Sequence, residues 1–424
     1  MTAFTLRDGA MHAEDVPLAT IAQEVGTPVY VYSRRMLEER ATAFRTAVAG
    51  LGAPLVAFAV KANPNLAVLR VLAAQGLGAD VVSGGELRRA LAAGVPPASI
   101  IFSGVGKTSA ELGEAMAAGI GQLNIESVEE AEEVSALAQV AGTRVPCALR
   151  VNPDVDAGTH DKITTGRADS KFGVLLRHAP QAYAQLAALP GLHVRGLAVH
   201  IGSQLTGLEP LEHAFARVGT LLAALRDAGH TITHVDLGGG LGVPYRPGDT
   251  VPSLAAYAAM VARVTQGWNV QLLFEPGRII AAEAGVLLTR VIRVKRGLAH
   301  PFLVVDAGMN DLARPALYGA WHAFEAVQPT GGRMRANIVG PICESGDTFA
   351  TERDTDALRS GDLAVFRTAG AYGATMASSY NSRGFVPEVL VDGDRYAVVA
   401  QRIAPDTIMN AECVPDWLPE AARG

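Results

Sequence analysis

THVDLGGG, residues 233–240, carries an alternating apolar segment directly into three glycines. A strand that ends on such a run brings backbone N–H groups to a place no side chain shields, where an anion can approach closely. By itself the run fits a tight turn equally well. The choice depends on whether similar segments recur, and they do. Short apolar or β-branched runs stand at PLVAFAVKAN (54–63), ADVVSG (79–84), SIIFSG (99–104) and GQLNIES (121–127), and again at VPCALRVN (145–152), GLAVHIGS (196–203) and VQLLFEPGR (270–278). Ala-, Leu- and Glu-rich helical stretches separate them. With 233–240 these make eight strands, the number that a (β/α)8 barrel of about 250 residues requires. The wide gap between the fifth and sixth holds HDKITTGRADSKFG (160–173), which reads as an inserted loop at the barrel mouth.

Polar residues gather where these strands end: Lys61, Ser83, Glu126, Asn152, His200, Gly238 to Gly240 and Glu275. The C-terminal ends of the strands form the face on which barrel enzymes build their sites. Beyond about residue 280 the texture changes. GVLLTRVIRVK, PFLVVDAG, MRANIVGPI, DLAVFRT, PEVLV and DRYAVVA read as β segments, with a helix only near 310–325. The expected fold is therefore α/β: a barrel over 35–278, a β-rich domain over 279–424, and an N-terminal segment, 1–34, that joins the β domain through PVYVYS (28–33).

Bulk properties exclude several functions. A formal net charge of −6 offers no basic field for nucleic acid or anionic lipid. No apolar run is long enough to span a membrane, and the N-terminus lacks the pattern of a signal peptide. Three widely spaced cysteines, Cys147, Cys343 and Cys413, fit a reducing cytoplasm and argue against a disulfide scaffold or a cysteine-based zinc cluster. No metal site is expected.

Individual residues each carry two readings. Lys61, closing an apolar strand, is either a surface cap or a desolvated amine of lowered pKa able to condense with a carbonyl-bearing cofactor. Glu275, followed by Pro276, Gly277 and Arg278, is either a turn with a surface ion pair or a carboxylate for a cofactor ring nitrogen beside an anion-binding arginine. His200 is either a satisfied core histidine or a stacking and hydrogen-bonding group.

AVKAN, DVVSGGEL, KFG, HIGSQ, DLGGG, EPGR, ARPALYGA, GPICESGD and GAYGATMAS follow one another in this order along nearly the whole chain. In this the chain resembles the bacterial diaminopimelate decarboxylases, within the alanine-racemase-like group of pyridoxal 5'-phosphate (PLP) enzymes, fold type III. The resemblance implies decarboxylation of meso-2,6-diaminopimelate to L-lysine, the last step of lysine biosynthesis. It implies that Lys61 forms the covalent link to PLP, that His200 stacks on its ring and that Ser203 and Gly238, Gly239 and Gly240 meet its phosphate. Glu275 would serve the ring nitrogen, Gly277 and Arg278 the cofactor pocket, and Asp80 a supporting position. Tyr372 would lie near the phosphate end, while Arg278, Arg314, Tyr318, Tyr372 and Glu344 would contact substrate. Glu344, where ornithine decarboxylases usually carry aspartate, favours diaminopimelate over the alternatives of ornithine, arginine or a carboxylated polyamine. The resemblance further implies a homodimer with shared sites, in which Cys343 reaches the partner's cofactor as a candidate proton donor in competition with Lys61. A racemase on the same barrel usually sets an arginine, not a carboxylate, against the ring nitrogen. A catalytically silent, protein-binding homologue has no use for the intact Lys61, His200, glycine run and Glu275.

Overall fold

The computed structural model describes residues 3–156, 165–166 and 170–418. Eight parallel strands close on themselves: Leu55–Ala59, Gly78–Val81, Ile100–Phe102, Gln122–Ile125, Val145–Asn152, Leu192–Ala198, His234–Asp236 and Gln271–Phe274, the last pairing with the first. Most of the strands stop earlier than the sequence pattern suggests. The first ends at Ala59 and passes into a 3-10 turn, Val60–Ala62, so Lys61 rides on a turn above the barrel and not on a strand. The sixth begins four residues before the predicted 196 and ends at Ala198, leaving His200 in the loop. Much of the 160–173 segment lies outside the described residues.

The barrel interior is layered by polarity. Ala57, Ile101 and Leu273, with Leu55 against them, form an apolar plug. Above it the inward side chains are polar and bonded to one another. Gln122 Nε2 donates to Asn124 Oδ1 at 2.9 Å, and Asn124 Nδ2 donates to Ser103 Oγ and to Asp236 Oδ2, both at 3.0 Å. Groups buried this way are tolerable because most find a partner, and the network fixes the strand ends that carry the site. The outer helices are set by ordinary capping. Ser83 accepts from Glu86 N, Ser127 from Glu130 N, and Thr108 forms a capping box with Glu111.

A second sheet is built from Gly285–Lys295, which pairs antiparallel with Val29–Ser33, Phe302–Val305 and Leu363–Phe366. Val29–Ser33 also pairs with Glu388–Asp392, so the strand just before the barrel sits in the middle of the β sheet. The helix expected near 310–325 is short, Arg314–Tyr318. No helix among the described residues is long and apolar enough to cross a membrane.

Candidate active site

Lys61 Nζ lies 2.7 Å from Asp80 Oδ2, and Asp80 is fully buried at the start of the second strand's exit. Burial alone pushes the lysine pKa down, but the Asp80 carboxylate, helped by Glu275 and Tyr372, more than reverses it. The expectation of a lowered pKa is thus corrected: without a bound partner the amine is held as an ammonium by a carboxylate that desolvation makes effective. A second barrel lysine, Lys107, has a buried side chain already occupied by Gly104 O, Asn124 O and Glu130 Oε1 at 2.6–2.8 Å. Only Lys61 of the two faces a cavity.

That cavity is lined by Lys61, His200, Ser203, Gly238 to Gly240, Glu275, Gly277, Arg278 and Tyr372. It opens into a wider cleft bounded by Gln204, Tyr245, Arg246, Arg314, Tyr318 and Trp321. The glycine run is a steric necessity. A Cβ on Gly238 would lie 2.5 Å from Val199 O, on Gly239 2.2 Å from Glu275 O, and on Gly240 2.5 Å from Gly202 O. Gly277 is pressed almost as closely by the Ala59 and Ala62 methyl groups. Loops after strands six, seven and eight therefore close on one another with bare backbone, as barrel phosphate sites do.

Glu275 and Asp236 are hydrogen-bonded to each other in the buried floor. Burial first, and then mutual repulsion, raises the Glu275 pKa well above the carboxylate range, so the pair holds a proton. Ser103 Oγ donates to Glu275 Oε1 at 3.3 Å and Gly238 N to Asp236 Oδ1 at 2.9 Å. His200 Nδ1 accepts from Gly239 N at 3.3 Å, and burial together with Lys61 keeps the ring neutral.

At the cleft wall Arg278 NH2 donates to Ser203 Oγ at 3.0 Å and NH1 to the Tyr245 hydroxyl at 2.7 Å. Its guanidinium lies 4.6 Å from the centre of the Tyr372 ring, and Tyr372 is held at positive φ with its N–H on Ala62 O. Arg314 stacks on the other aromatic wall, 4.5 Å from the Tyr245 ring centre. Both arginines are about 95% buried, and the Nε of each has no hydrogen-bond partner among the described residues. Two nearly buried cations on the wall of one cleft suit it to anionic groups.

Cys343 and Glu344 do not line this cleft. They sit exposed on a loop whose root is fixed by Asp347, which accepts Met309 N and Ile342 N at 2.6 Å each. Cys343 N donates to Asn381 Oδ1, and Tyr380 is hydrogen-bonded to Glu344. Of the strand-end polar residues, Ser83 is a helix cap, and Glu126 is spent on a buried ion pair with Arg150 at 2.6 Å. Sequence reasoning passed over Asp236, Ser103, Asn124, Tyr245 and His322. Only Asp236 carried a usable mark, its place directly before the glycines.

The residues fit PLP: an amine at one end of the cavity, a proton-bearing carboxyl pair in its floor, and a side-chain-free cradle beside an arginine at the other. Fold and site together define a PLP-dependent decarboxylase of the barrel type. Residues 34–282 match the family model for the pyridoxal binding domain of pyridoxal-dependent decarboxylases. The diaminopimelate decarboxylase of Zymomonas mobilis is 51% identical over 421 residues, covering 99% of this chain and 100% of the relative. That of Pseudomonas aeruginosa is 50% identical over 422 residues, 99% of this chain and 100% of the relative. The crystal structure of the M. jannaschii enzyme in co-complex with L-lysine superposes with a TM-score of 0.94 at 33% identity, covering 97% of this chain and 98% of that one. This chain belongs to the diaminopimelate decarboxylase family.

Proposed function

We propose that the cleft takes meso-2,6-diaminopimelate, removes CO2 from one end and releases L-lysine, with Lys61, His200 and Glu275 serving bound PLP. PLP supplies, when bound, an electron sink for the pair left behind as the carboxylate departs. The chain's own groups then have separable tasks. Asp80 Oδ2 holds and orients Lys61 Nζ across the 2.7 Å already set between them, positioning the amine for the cofactor rather than deprotonating it. The proton that Glu275 shares with Asp236 would pass to the ring nitrogen of bound PLP, leaving a carboxylate beside the cationic ring. Gly238 to Gly240 and Ser203 seat the phosphate, and the neutral His200 ring offers an aromatic surface without adding a further cation.

The single observation that carries the substrate reading is the pair of nearly buried arginines, Arg278 and Arg314, that line one cleft, the first bonded to the Tyr245 hydroxyl and the second stacked on its ring. A substrate with a second carboxylate satisfies them; a simple diamine precursor such as ornithine leaves one buried cation unpaired, which is costly. Tyr318 completes that wall.

The remaining contacts come from a second copy in this reading. Cys343 and Glu344 are too exposed to serve their own cleft, yet their loop is rigidly rooted. Beside it Tyr380 is exposed, and the C-terminal segment also exposes Ile403, Met409, Trp417 and Leu418, apolar residues of the kind an interface covers. In a homodimer Glu344 then meets the remote ammonium of the substrate on the other subunit, and Cys343 holds the proton returned to the α-carbon, with Lys61 the competing donor. The test is direct. Purified protein given PLP and meso-diaminopimelate should yield CO2 and lysine in equal amounts; folded, cofactor-loaded protein that releases neither refutes the reading.

A further inference from the structure

We propose that His322 is a positioning residue for substrate specificity: as a neutral acceptor it aims Arg314 at the remote carboxylate while leaving the full arginine charge to the ligand. The proposal rests on Arg314 being the carboxylate-binding residue. His322 is 3% exposed and follows the short helix Arg314–Tyr318 by four residues. Its Nδ1 lies 2.8 Å from Arg367 O and its Nε2 lies 2.9 Å from Arg314 NH1. A carbonyl can only accept, and a guanidinium can only donate. The ring must therefore carry its proton on Nδ1 and present a bare Nε2 to Arg314. Arg367 N in turn donates to Ala323 O at 2.9 Å, beside the paired strands Phe324–Ala326 and Leu363–Phe366, so the imidazole is pinned to the β sheet at its Nδ1 edge.

The same ring meets Tyr245 edge-on, with centroids 5.4 Å apart at 77°. Tyr245 offers its face to Arg314 and its hydroxyl to Arg278. One histidine thus sets the lateral position of Arg314 by a hydrogen bond and its height by the orientation of the ring beneath it. The choice of acceptor matters electrostatically. An aspartate or glutamate here would form an ion pair with Arg314 and compete with the substrate carboxylate; an imidazole holds the guanidinium without neutralising it. Every charged group facing the ring, Arg314, Arg278 and Arg353, is cationic, so its neutrality is secured by its surroundings. Burial and these arginines push its pKa down to about 3, far below any assay pH.

The test measures kcat and KM for meso-diaminopimelate on PLP-loaded protein, with the cofactor's visible absorbance as a second readout. His322→Phe keeps the ring shape and loses the acceptor; KM should rise about tenfold or more, equivalent to about 1.4 kcal/mol, while kcat falls less than about threefold and the absorbance is unchanged. His322→Gln, which can both accept and donate, should recover KM to within about threefold of the parent. If His322→Phe does not fold, His322→Asn, too short to bridge both partners, replaces it with the same expected rise. In an Arg314→Met background the His322 substitution should add less than about twofold, because its effect travels through the absent guanidinium. A His322 variant with unchanged KM, or one whose effect persists in full without Arg314, overturns the proposal. An Arg314→Met enzyme with unchanged KM instead refutes the reading on which it rests, and the proposal falls with it.

Discussion

Substituting Gly239 with alanine isolates the role of bare backbone in the cofactor cradle. Gly239 does not sit at positive φ, so alanine adds no conformational strain, only volume. Its Cβ would lie 2.2 Å from Glu275 O, and ordinary contact begins at 3.4 Å, so the loops after strands seven and eight must part by about 1.2 Å. They cannot part freely, because Glu275 N donates to Gly238 O at 2.8 Å and Gly239 N donates to His200 Nδ1. Overpacking of this kind costs about 1–3 kcal/mol of stability. A displacement of that size also breaks a hydrogen bond to a charged phosphate, worth about 1.5–3 kcal/mol. The affinity for PLP should therefore fall by roughly 30- to 150-fold, the equivalent of about 2–3 kcal/mol. The assay titrates PLP into cofactor-free protein and follows the visible absorbance of the lysine-linked form. Gly106→Ala is the matched control, since its Cβ would meet nothing within 4 Å. Gly239→Ala protein that is folded and binds PLP as tightly as the Gly106→Ala control would refute the cradle argument.

Glu86 gives a pH prediction. Burial, despite the Val82 N–H it accepts, raises its pKa to about 7. A carboxyl whose folded pKa is raised contributes stability below its unfolded pKa of about 4.5 and loses it as pH rises through 7. In cofactor-free protein, Glu86→Gln should therefore be close to neutral at pH 4.5 and stabilising at pH 8, on the order of 1–2 kcal/mol after allowance for solvent screening; denaturant midpoints that shift equally at both pH values contradict this. Mixing inactive Lys61→Ala and Glu344→Ala subunits should restore about a quarter of parental activity, because random pairing gives half mixed dimers, each with one intact site. No recovery after verified subunit exchange would show that the two residues do not share a site across subunits. Removing the loop anchor with Asp347→Ala leaves two buried N–H groups unmet, at about 1–3 kcal/mol each; kcat/KM should drop while PLP absorbance is retained, and an unchanged kcat/KM would separate the loop from the chemistry.

The legible parts of this protein are those whose meaning is local. Lys61, the glycines at 238–240 and Glu275 each close an apolar segment, so the barrel and its chemical face can be read from pattern and order. The strand ends were misjudged where chemistry departs from pattern. Lys61 stands on a 3-10 turn beyond Ala59, because a strand residue would point its amine into the packed barrel or away from it. Its pKa also went the other way, since Asp80 reaches it from the neighbouring strand, a pairing that no local signal announces. The same limit hid the Asp236–Glu275 pair, and the Tyr245 and His322 brace behind Arg314. The carboxyl pair forms between neighbouring strands as the barrel closes, and Tyr245 meets Arg314 and His322 only once the β domain has docked on the barrel. Ser83 and Glu126 show the converse: they follow the strand ends closely, but spend their polarity on a helix cap and an ion pair.

The central claim is that two braced arginines make this barrel select an amino acid with a second carboxylate. Equimolar meso-diaminopimelate, ornithine and arginine, offered together to limiting PLP-loaded enzyme, test it in one measurement of the decarboxylated products by mass spectrometry. The account predicts lysine as the dominant product; putrescine or agmatine in its place would contradict it.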